Sequence, residues 1–134
     1  MIVELKYAGI PRLGLIAVHY WFVTTDKDRR DRWEVWQRAG AGGESIGHLH
    51  RNLMRPDSNV GGSPTQLEKH WDGDQAERIV TVLRRSWEEY PYRTFYRALP
   101  GPNSNTFVAW VLREATIAHR LSWKGIGKQF LKSA

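Results

Sequence analysis

A chain of 134 residues with a formal net charge of +6 and no cysteine excludes several classes of protein at once. Without thiols it has no disulfide framework, no thiolate metal site and no cysteine nucleophile. Its length suits one domain with a genuine core, and 41% hydrophobic beside 25% charged residues argues against disorder. We therefore expect a single domain over residues 1–134.

The first residues and the charge pattern indicate which cellular location and which binding partners to expect. Residues 2–6, Ile-Val-Glu-Leu-Lys, lack the basic start and long apolar run of a secretory signal, and no stretch reaches the ~20 apolar residues of a membrane span. We expect a cytoplasmic protein without a membrane span. The arginines near positions 30 and 85 are interleaved with Asp and Glu, which is typical of a solvated surface and argues against nucleic-acid binding.

The first half of the chain is predicted to form antiparallel strands. Residues 13–23 are rich in β-branched and aromatic side chains and predict a buried strand, followed by a charged turn over 24–32. Residues 33–37 alternate apolar and polar side chains, as a half-buried strand does, so the two segments suggest a hairpin. A third strand is predicted over 45–53, and a long loop with two prolines over 55–70.

Helical periodicity dominates the second half. Apolar side chains recur every three or four positions over 74–90, which predicts a helix that Asp72 or Asp74 caps and Pro91 ends. A short aromatic segment, 92–99, is a candidate strand. Together with a second predicted helix this pattern indicates an α+β fold, in which a small antiparallel sheet packs against two main helices.

That second helix is predicted over 104–115, and the tail over 121–131 is expected to lie back on the body of the protein. The turn before the helix, residues 100–107, reads Pro-Gly-Pro-Asn-Ser-Asn-Thr-Phe. Asn103 is a favoured N-cap, and Ser104 falls in the first turn, where the helix dipole favours negative charge and would assist a nucleophile or an oxyanion. The alternative is that these small polar residues only start the helix.

His19 is the second candidate site residue. A titratable ring within an apolar strand needs a partner, and His19 is a candidate general base for Ser104 once folding brings the two together. Glu34 on the next predicted strand is a candidate to orient the ring, with Gln37 as a weaker substitute. The alternatives are a neutral core histidine and a surface carboxylate.

Other motifs predict neither a metal site nor a cofactor. His48 and His50 share one face if they lie in a strand, but a third ligand would have to come from His70 or Asp72, and a His-x-His pair alone is a weak signal. Residues 39–43, Ala-Gly-Ala-Gly-Gly, lack the Lys-Ser/Thr of a phosphate loop and indicate a hinge or hairpin connection.

Four stretches resemble a family of uncharacterised bacterial proteins. They occur in the family's order and span most of the chain. The stretches are Val18-His19 with Trp21, Tyr90-Pro91-Tyr92, the run from Pro100 to Ala109, and Gly125-Ile126-Gly127-Lys128.

A more remote pattern is similar to circularly permuted papain-like proteins of the lecithin-retinol acyltransferase and cell-wall amidase type, and to certain deubiquitinating-type peptidases. In that pattern an early strand carries the histidine base, matched by His19, and a cysteine nucleophile stands where this chain has Ser104. A serine there demands a stronger base and a well-built oxyanion site.

The resemblance implies a permuted papain-like fold and a serine-variant amidase, peptidase or acyl hydrolase. Ser104, His19 and Glu34 would be catalytic, and a small molecule or peptide would be the partner. The alternative is a non-catalytic ligand- or protein-binding module that uses the same groove. The residues expected to bind around the centre are Asn103, Asn105, Thr106, Trp21 and Trp36. Further aromatic residues expected in the groove or in the core are Trp33, Tyr92, Phe95, Tyr96 and Trp110.

Overall fold

The computed structural model describes residues 1–13 and 16–133, except for the side chains of residues 132 and 133. Six antiparallel strands form one sheet, and two α-helices follow them in the chain. The strands are β1 (Ile2–Gly9), β2 (Val18–Asp26), β3 (Arg29–Val35), β4 (Glu44–Ile46), β5 (Leu49–Arg51) and β6 (Gln66–Trp71), in the spatial order β4-β5-β3-β2-β1-β6. The helices are α1 (Gly73–Glu89), α2 (Ser104–Glu114) and a 3₁₀ helix, Lys128–Ser133. The α+β prediction is confirmed.

Strand β2 lies inside the sheet and is buried over seven consecutive residues. Alternate side chains point to opposite faces of a strand, so β2 serves two apolar clusters. Tyr20 and Phe22 belong to the main core, which the two helices help to build, whereas Trp21 and Val23 pack with Ala8 in a second cluster. This explains why the segment is apolar almost throughout rather than alternating.

The predicted strand boundaries need correction. The strand predicted over 13–23 begins at Val18, and residues 14 and 15 of that prediction lie outside the described residues. The charged turn predicted over 24–32 is wrong, because β2 continues to Asp26 and β3 starts at Arg29. Charged side chains are accommodated there because the hairpin end lets them reach solvent or one another.

Two further strand predictions also fail. The single strand predicted over 45–53 is a hairpin of two short strands, β4 and β5, and the aromatic segment 92–99 is a turn. In that segment Arg97 donates a backbone hydrogen bond to Pro102 at 2.9 Å, so the chain bends back toward the start of α2.

The sequence analysis missed β1 and β6. Strand β1 buries Val3 and Leu5 and partly exposes Glu4 and Lys6, a period of two that is visible in the sequence. Strand β6 lies at the sheet edge with only Trp71 buried, so it has no apolar alternation, and the loop predicted over 55–70 is wrong from Gln66 onward.

The helix predictions are confirmed. Helix α1 buries the stripe that predicted it, and Asp72 occupies its N-cap without a side-chain capping hydrogen bond. Helix α2 begins at Ser104 behind a complete capping box formed by Asn103 and Thr106. The tail lies back on the body, with Leu121 and Leu131 buried. Within the described ranges, no helix is long and apolar enough to cross a bilayer.

Candidate functional site

A cavity of about 290 Å³ opens where β2 begins, β3 ends and α2 begins. His19 and Ser104 both line it, although they lie 85 positions apart in the chain. Apolar and aromatic side chains make up most of the remaining wall. The other lining residues are Ile10, Pro11, Val35, Trp36, Gln37, Val60, Gly61 and Tyr96.

His19 is held by a buried carboxylate. Its Nε2 lies 2.7 Å from Oε2 of Glu34, and the side chains are 7% and 0% exposed. The ring stacks on Trp21, with centroids 5.6 Å apart, and meets the edge of Trp36 at 5.4 Å. Among the hydrogen bonds of the described residues none uses Nδ1 of His19, so this second ring nitrogen is available in the cavity.

Arg32 completes the buried charge cluster. Its Nε and Nη2 donate to the two carboxylate oxygens of Glu34 at 2.8 and 2.9 Å, and its guanidinium lies 3.9 Å from the ring centroid of Trp21. Burial on its own raises the pKa of Glu34, but the hydrogen bonds and positive charges of His19 and Arg32 outweigh it and hold that pKa below its usual range. Glu34 is therefore ionised at neutral pH.

Asn105 joins the start of α2 to the strand that carries His19. Strands β2 and β3 pair only as far as Phe22 and Trp33, so the backbone beyond that point needs other partners. The Asn105 amide supplies them, accepting from the Tyr20 N–H at 3.1 Å and donating to the Val18 carbonyl at 2.8 Å. These two backbone groups flank His19, so Asn105 fixes Ser104 beside the histidine.

Ser104 itself is lightly held. Its hydroxyl is buried and its one hydrogen bond among the described residues, to Oδ1 of Asn105, is 3.5 Å long; none joins it to His19. The cap oxygen Oδ1 of Asn103 accepts from the N–H groups of Asn105 and Thr106. The Ser104 N–H has no acceptor within the described part of the chain, and it stands at the positive end of the helix dipole.

The tail of the chain supports this turn from behind. Nδ2 of Asn103 and Nδ2 of Asn105 both donate to the Ile126 carbonyl at 3.0 Å, and the Thr106 hydroxyl donates to the Gly127 carbonyl at 2.8 Å. Gly127 has φ +105°, and a Cβ there would lie 2.3 Å from the Asn103 side chain. Asn103, Asn105 and Thr106, predicted as binding residues, thus serve as internal scaffold of the turn.

The predicted aromatic residues divide between wall and core. Trp36 and Tyr96 line the cavity, and burial raises the pKa of the Tyr96 phenol, which stays protonated at neutral pH. Trp21 is fully buried beneath His19. Trp33 and Trp110 lie in the main core, Tyr92 packs against it, and Phe95 is half exposed.

His48 and His50 are held by hydrogen bonds and a ring contact within the protein. Nδ1 of His50 donates to the His48 carbonyl at 2.7 Å and Nε2 accepts from the Ala41 N–H at 3.0 Å, while burial lowers the pKa of His50. The His48 ring stacks on Tyr96 at 5.3 Å. Among the described residues no three metal-ligating side chains come together. Residues 39–43 lie in the connection from β3 to β4, and no helix opens there.

The structure gives two residues near the cavity contacts that were not predicted from the sequence. Arg32 was assigned to a turn, although its spacing of two from Glu34 places both side chains on one face of a strand. Asn105 was treated as a contact to ligand rather than to the backbone of β2. An unpaired buried strand end needs a partner, but the sequence carries no signal for where β2 and β3 separate.

Comparison with known proteins identifies the family. Residues 1–130 match the family described as "Protein of unknown function (DUF3750)", and the chain belongs to that family. No curated protein and no solved structure gives a match.

Proposed function

We propose that the protein is a serine-dependent hydrolase of acyl compounds, an amidase, peptidase or acyl hydrolase with a permuted papain-like arrangement. Ser104 is the nucleophile, His19 the general base, and Glu34 the group that orients the base. One observation supports this most: Ser104 and His19 line one cavity, and Glu34 occupies Nε2 of His19 while Nδ1 stays available. A nucleophile, a base and a carboxylate in this order are the parts that acyl transfer needs.

The reaction starts when the Ser104 hydroxyl turns from Asn105 toward His19, a movement that its weak hydrogen bond permits. Oγ attacks the acyl carbon while its proton passes to Nδ1 of His19, and the Ser104 N–H stabilises the oxyanion. Collapse breaks the bond to the leaving amine or alcohol, which takes that proton. Water then attacks the acyl-enzyme and gives one proton to Nδ1 of His19. When the bond between Oγ and the acyl carbon breaks, His19 returns this proton to Oγ of Ser104 and the carboxylic acid leaves.

The cavity sets the class of acyl group. At about 290 Å³ it is at the small end of ligand pockets, and its walls include Val35, Trp36 and Val60. It suits one small apolar acyl group or one apolar side chain. Gln37 and the protonated Tyr96 hydroxyl are the polar donors in the wall that can orient a carbonyl.

A fluorophosphonate probe tests the nucleophile. We expect intact-mass analysis to show one adduct on the wild type, none on Ser104→Ala, and labelling slowed at least 100-fold in His19→Asn. Ser122→Ala is the matched control and keeps the adduct. Labelling of Ser104→Ala, or none on the wild type, contradicts the assignment.

A non-catalytic binding module is the second candidate, and one observation favours it. Arg32 binds both oxygens of Glu34, which reduces the negative charge available to stabilise a protonated His19. This candidate predicts no adduct, together with saturable binding of a small apolar amide that Trp36→Ala weakens.

A further inference from the structure

A second cavity, about 680 Å³, is lined by the C-terminal half of α2 and by residues that follow it in the chain, and Ser104 is not among its lining residues. Its lining includes the apolar side chains of Leu112, Ile117 and Leu121 together with several cationic side chains. We define the basic groove as this cavity with Arg113, Arg120 and Lys128 on its walls. The proposed hydrolase uses none of these residues.

Much of the groove is lined by residues of the C-terminal segment 115–134, and two cations of that segment, Arg120 and Lys128, line it. Residues 115–134 carry four Lys and Arg and no Asp or Glu, which accounts for most of the net charge of +6. The arginine clusters near positions 30 and 85 differ from this segment, because Arg30 pairs with Asp57 and Arg85 pairs with Glu89. Among the described residues, neither Arg120 nor Lys128 has a carboxylate partner. The groove therefore attracts anions that the earlier clusters do not.

A positioned histidine contributes a ring nitrogen to the groove. Nε2 of His119 lies 2.7 Å from Oε2 of Glu68, and the Tyr20 hydroxyl donates to the other oxygen at 2.5 Å. The Ser122 N–H in turn donates to the Tyr20 hydroxyl at 3.2 Å. Nδ1 of His119 takes part in none of the hydrogen bonds within the described ranges, so it can meet a ligand in the groove.

Trp123 supplies an open aromatic face beside these cations. The residue is 67% exposed although it lines the groove, and the Lys124 ammonium lies 5.6 Å from its ring centroid. An exposed tryptophan next to unpaired cations suits a ligand that combines a planar ring with phosphate.

We infer that the basic groove binds a nucleotide, whose base stacks on Trp123, whose phosphate meets Arg120 and Lys128, and which can donate a hydrogen bond to Nδ1 of His119. The same chemistry is offered by a free mononucleotide and by one unit of a single strand. At 680 Å³ the groove has room for a whole nucleotide.

The test uses the full chain with two probes, AMP and a fluorescein-labelled (dT)₁₂ oligonucleotide. Anisotropy and calorimetry at 50 mM NaCl should show saturable binding of at least one. Tighter binding of (dT)₁₂ assigns the groove to a single strand, with a log–log salt slope of about −1.4 for two neutralised phosphates. Comparable binding of AMP assigns it to the free nucleotide.

Charge-matched variants separate the groove from general attraction. Arg120→Glu/Lys128→Glu should weaken binding at least tenfold. Lys27→Glu/Arg38→Glu changes the net charge equally at two exposed cations outside the groove and should weaken it no more than twofold. Trp123→Ala, an exposed position that should not affect folding, is expected to lose about tenfold. Equal weakening by both double variants, or no binding of either probe to the wild type, overturns the inference.

Discussion

Two histidine–glutamate pairs lie at different cavities, and α2 contributes to the lining of both cavities. In both, Nε2 of the histidine is 2.7 Å from a carboxylate oxygen. Their surroundings differ, because Glu34 is fully buried and bound to Arg32, whereas Glu68 is 19% exposed and bound to a tyrosine. Ser104 shares the cavity of the first pair, and cations surround the second.

A histidine–glutamate pair of this kind orients an imidazole ring, and it does not by itself determine a function. The group that meets the free ring nitrogen decides the chemistry. Burial decides how strongly each pair contributes to stability, because an ion taken out of water depends on its partner far more than one at the surface.

The largest expected effect is on the buried pair. Glu34→Gln leaves the buried guanidinium of Arg32 without a counter-charge, and we expect the free energy of unfolding to fall by about 3–5 kcal/mol. Glu68→Gln at the partly exposed pair, which involves no buried guanidinium, should cost less, about 1 kcal/mol. Urea unfolding measures the loss of unfolding free energy in each variant. Equal losses would contradict the statement that burial makes the Glu34 pair contribute more to stability.

Lowering the pH should remove part of the stabilisation that Glu34 gives to the folded protein. The pKa of Glu34 lies below its usual value of 4.5 in the folded protein, so the unfolded chain binds its proton first as the pH falls. The stabilisation by Glu34 is therefore present above pH 4.5 and is lost below it. The difference in unfolding free energy between wild type and Glu34→Gln should narrow between pH 6 and pH 3. A constant difference would show that folding does not lower the pKa of Glu34.

Next in size is the clamp between α2 and β2. Asn105→Ala removes hydrogen bonds to Tyr20, Val18 and Ile126, and we expect a loss of about 2–3 kcal/mol since buried backbone groups lose their partners. Asn59→Ala, which removes one exposed hydrogen bond to Thr65, is the control and should cost under about 1 kcal/mol. If the two variants unfold alike, Asn105 does not hold the turn.

The smallest expected effect is at the nucleophile. Ser104→Ala should change stability by no more than about 0.5 kcal/mol, because the hydroxyl makes one hydrogen bond of 3.5 Å among the described residues. Thr106→Val, two residues along, should cost about 1–2 kcal/mol since it leaves the buried Asn103 N–H without its partner and removes a hydrogen bond to the Gly127 carbonyl. Thermal unfolding distinguishes them, and a large loss in Ser104→Ala would mean that the serine is a structural cap.

The helices were predictable because their signals are local. Apolar spacing defined α1, and Asn103 marked the start of α2. His19 and Ser104 could be singled out because a titratable ring in an apolar strand and a serine at a helix start each stand out alone. Their place on one cavity follows from folding and is not encoded locally.

The rest depends on tertiary structure. The charged residues around Arg32 predict a turn, because the pairing that brings Arg32 against Trp21 exists only in the sheet. Strand β6 has little apolar alternation, since it lies at an edge. The basic groove is visible in sequence only as an absence of acids, and its floor needs α2 to be in place.

The most direct measurement is the ionisation of a thiol placed at position 104. If Nδ1 of His19 meets this side chain at the N-terminus of α2, the cysteine in Ser104→Cys should have a pKa well below the ordinary value of about 8.5. The rate of alkylation by iodoacetamide between pH 4 and 10 reports that pKa. We expect a midpoint below about 7 in Ser104→Cys and a midpoint of about 8.5 or higher in Ser104→Cys/His19→Gln. A midpoint at or above 8.5 in both proteins would contradict it.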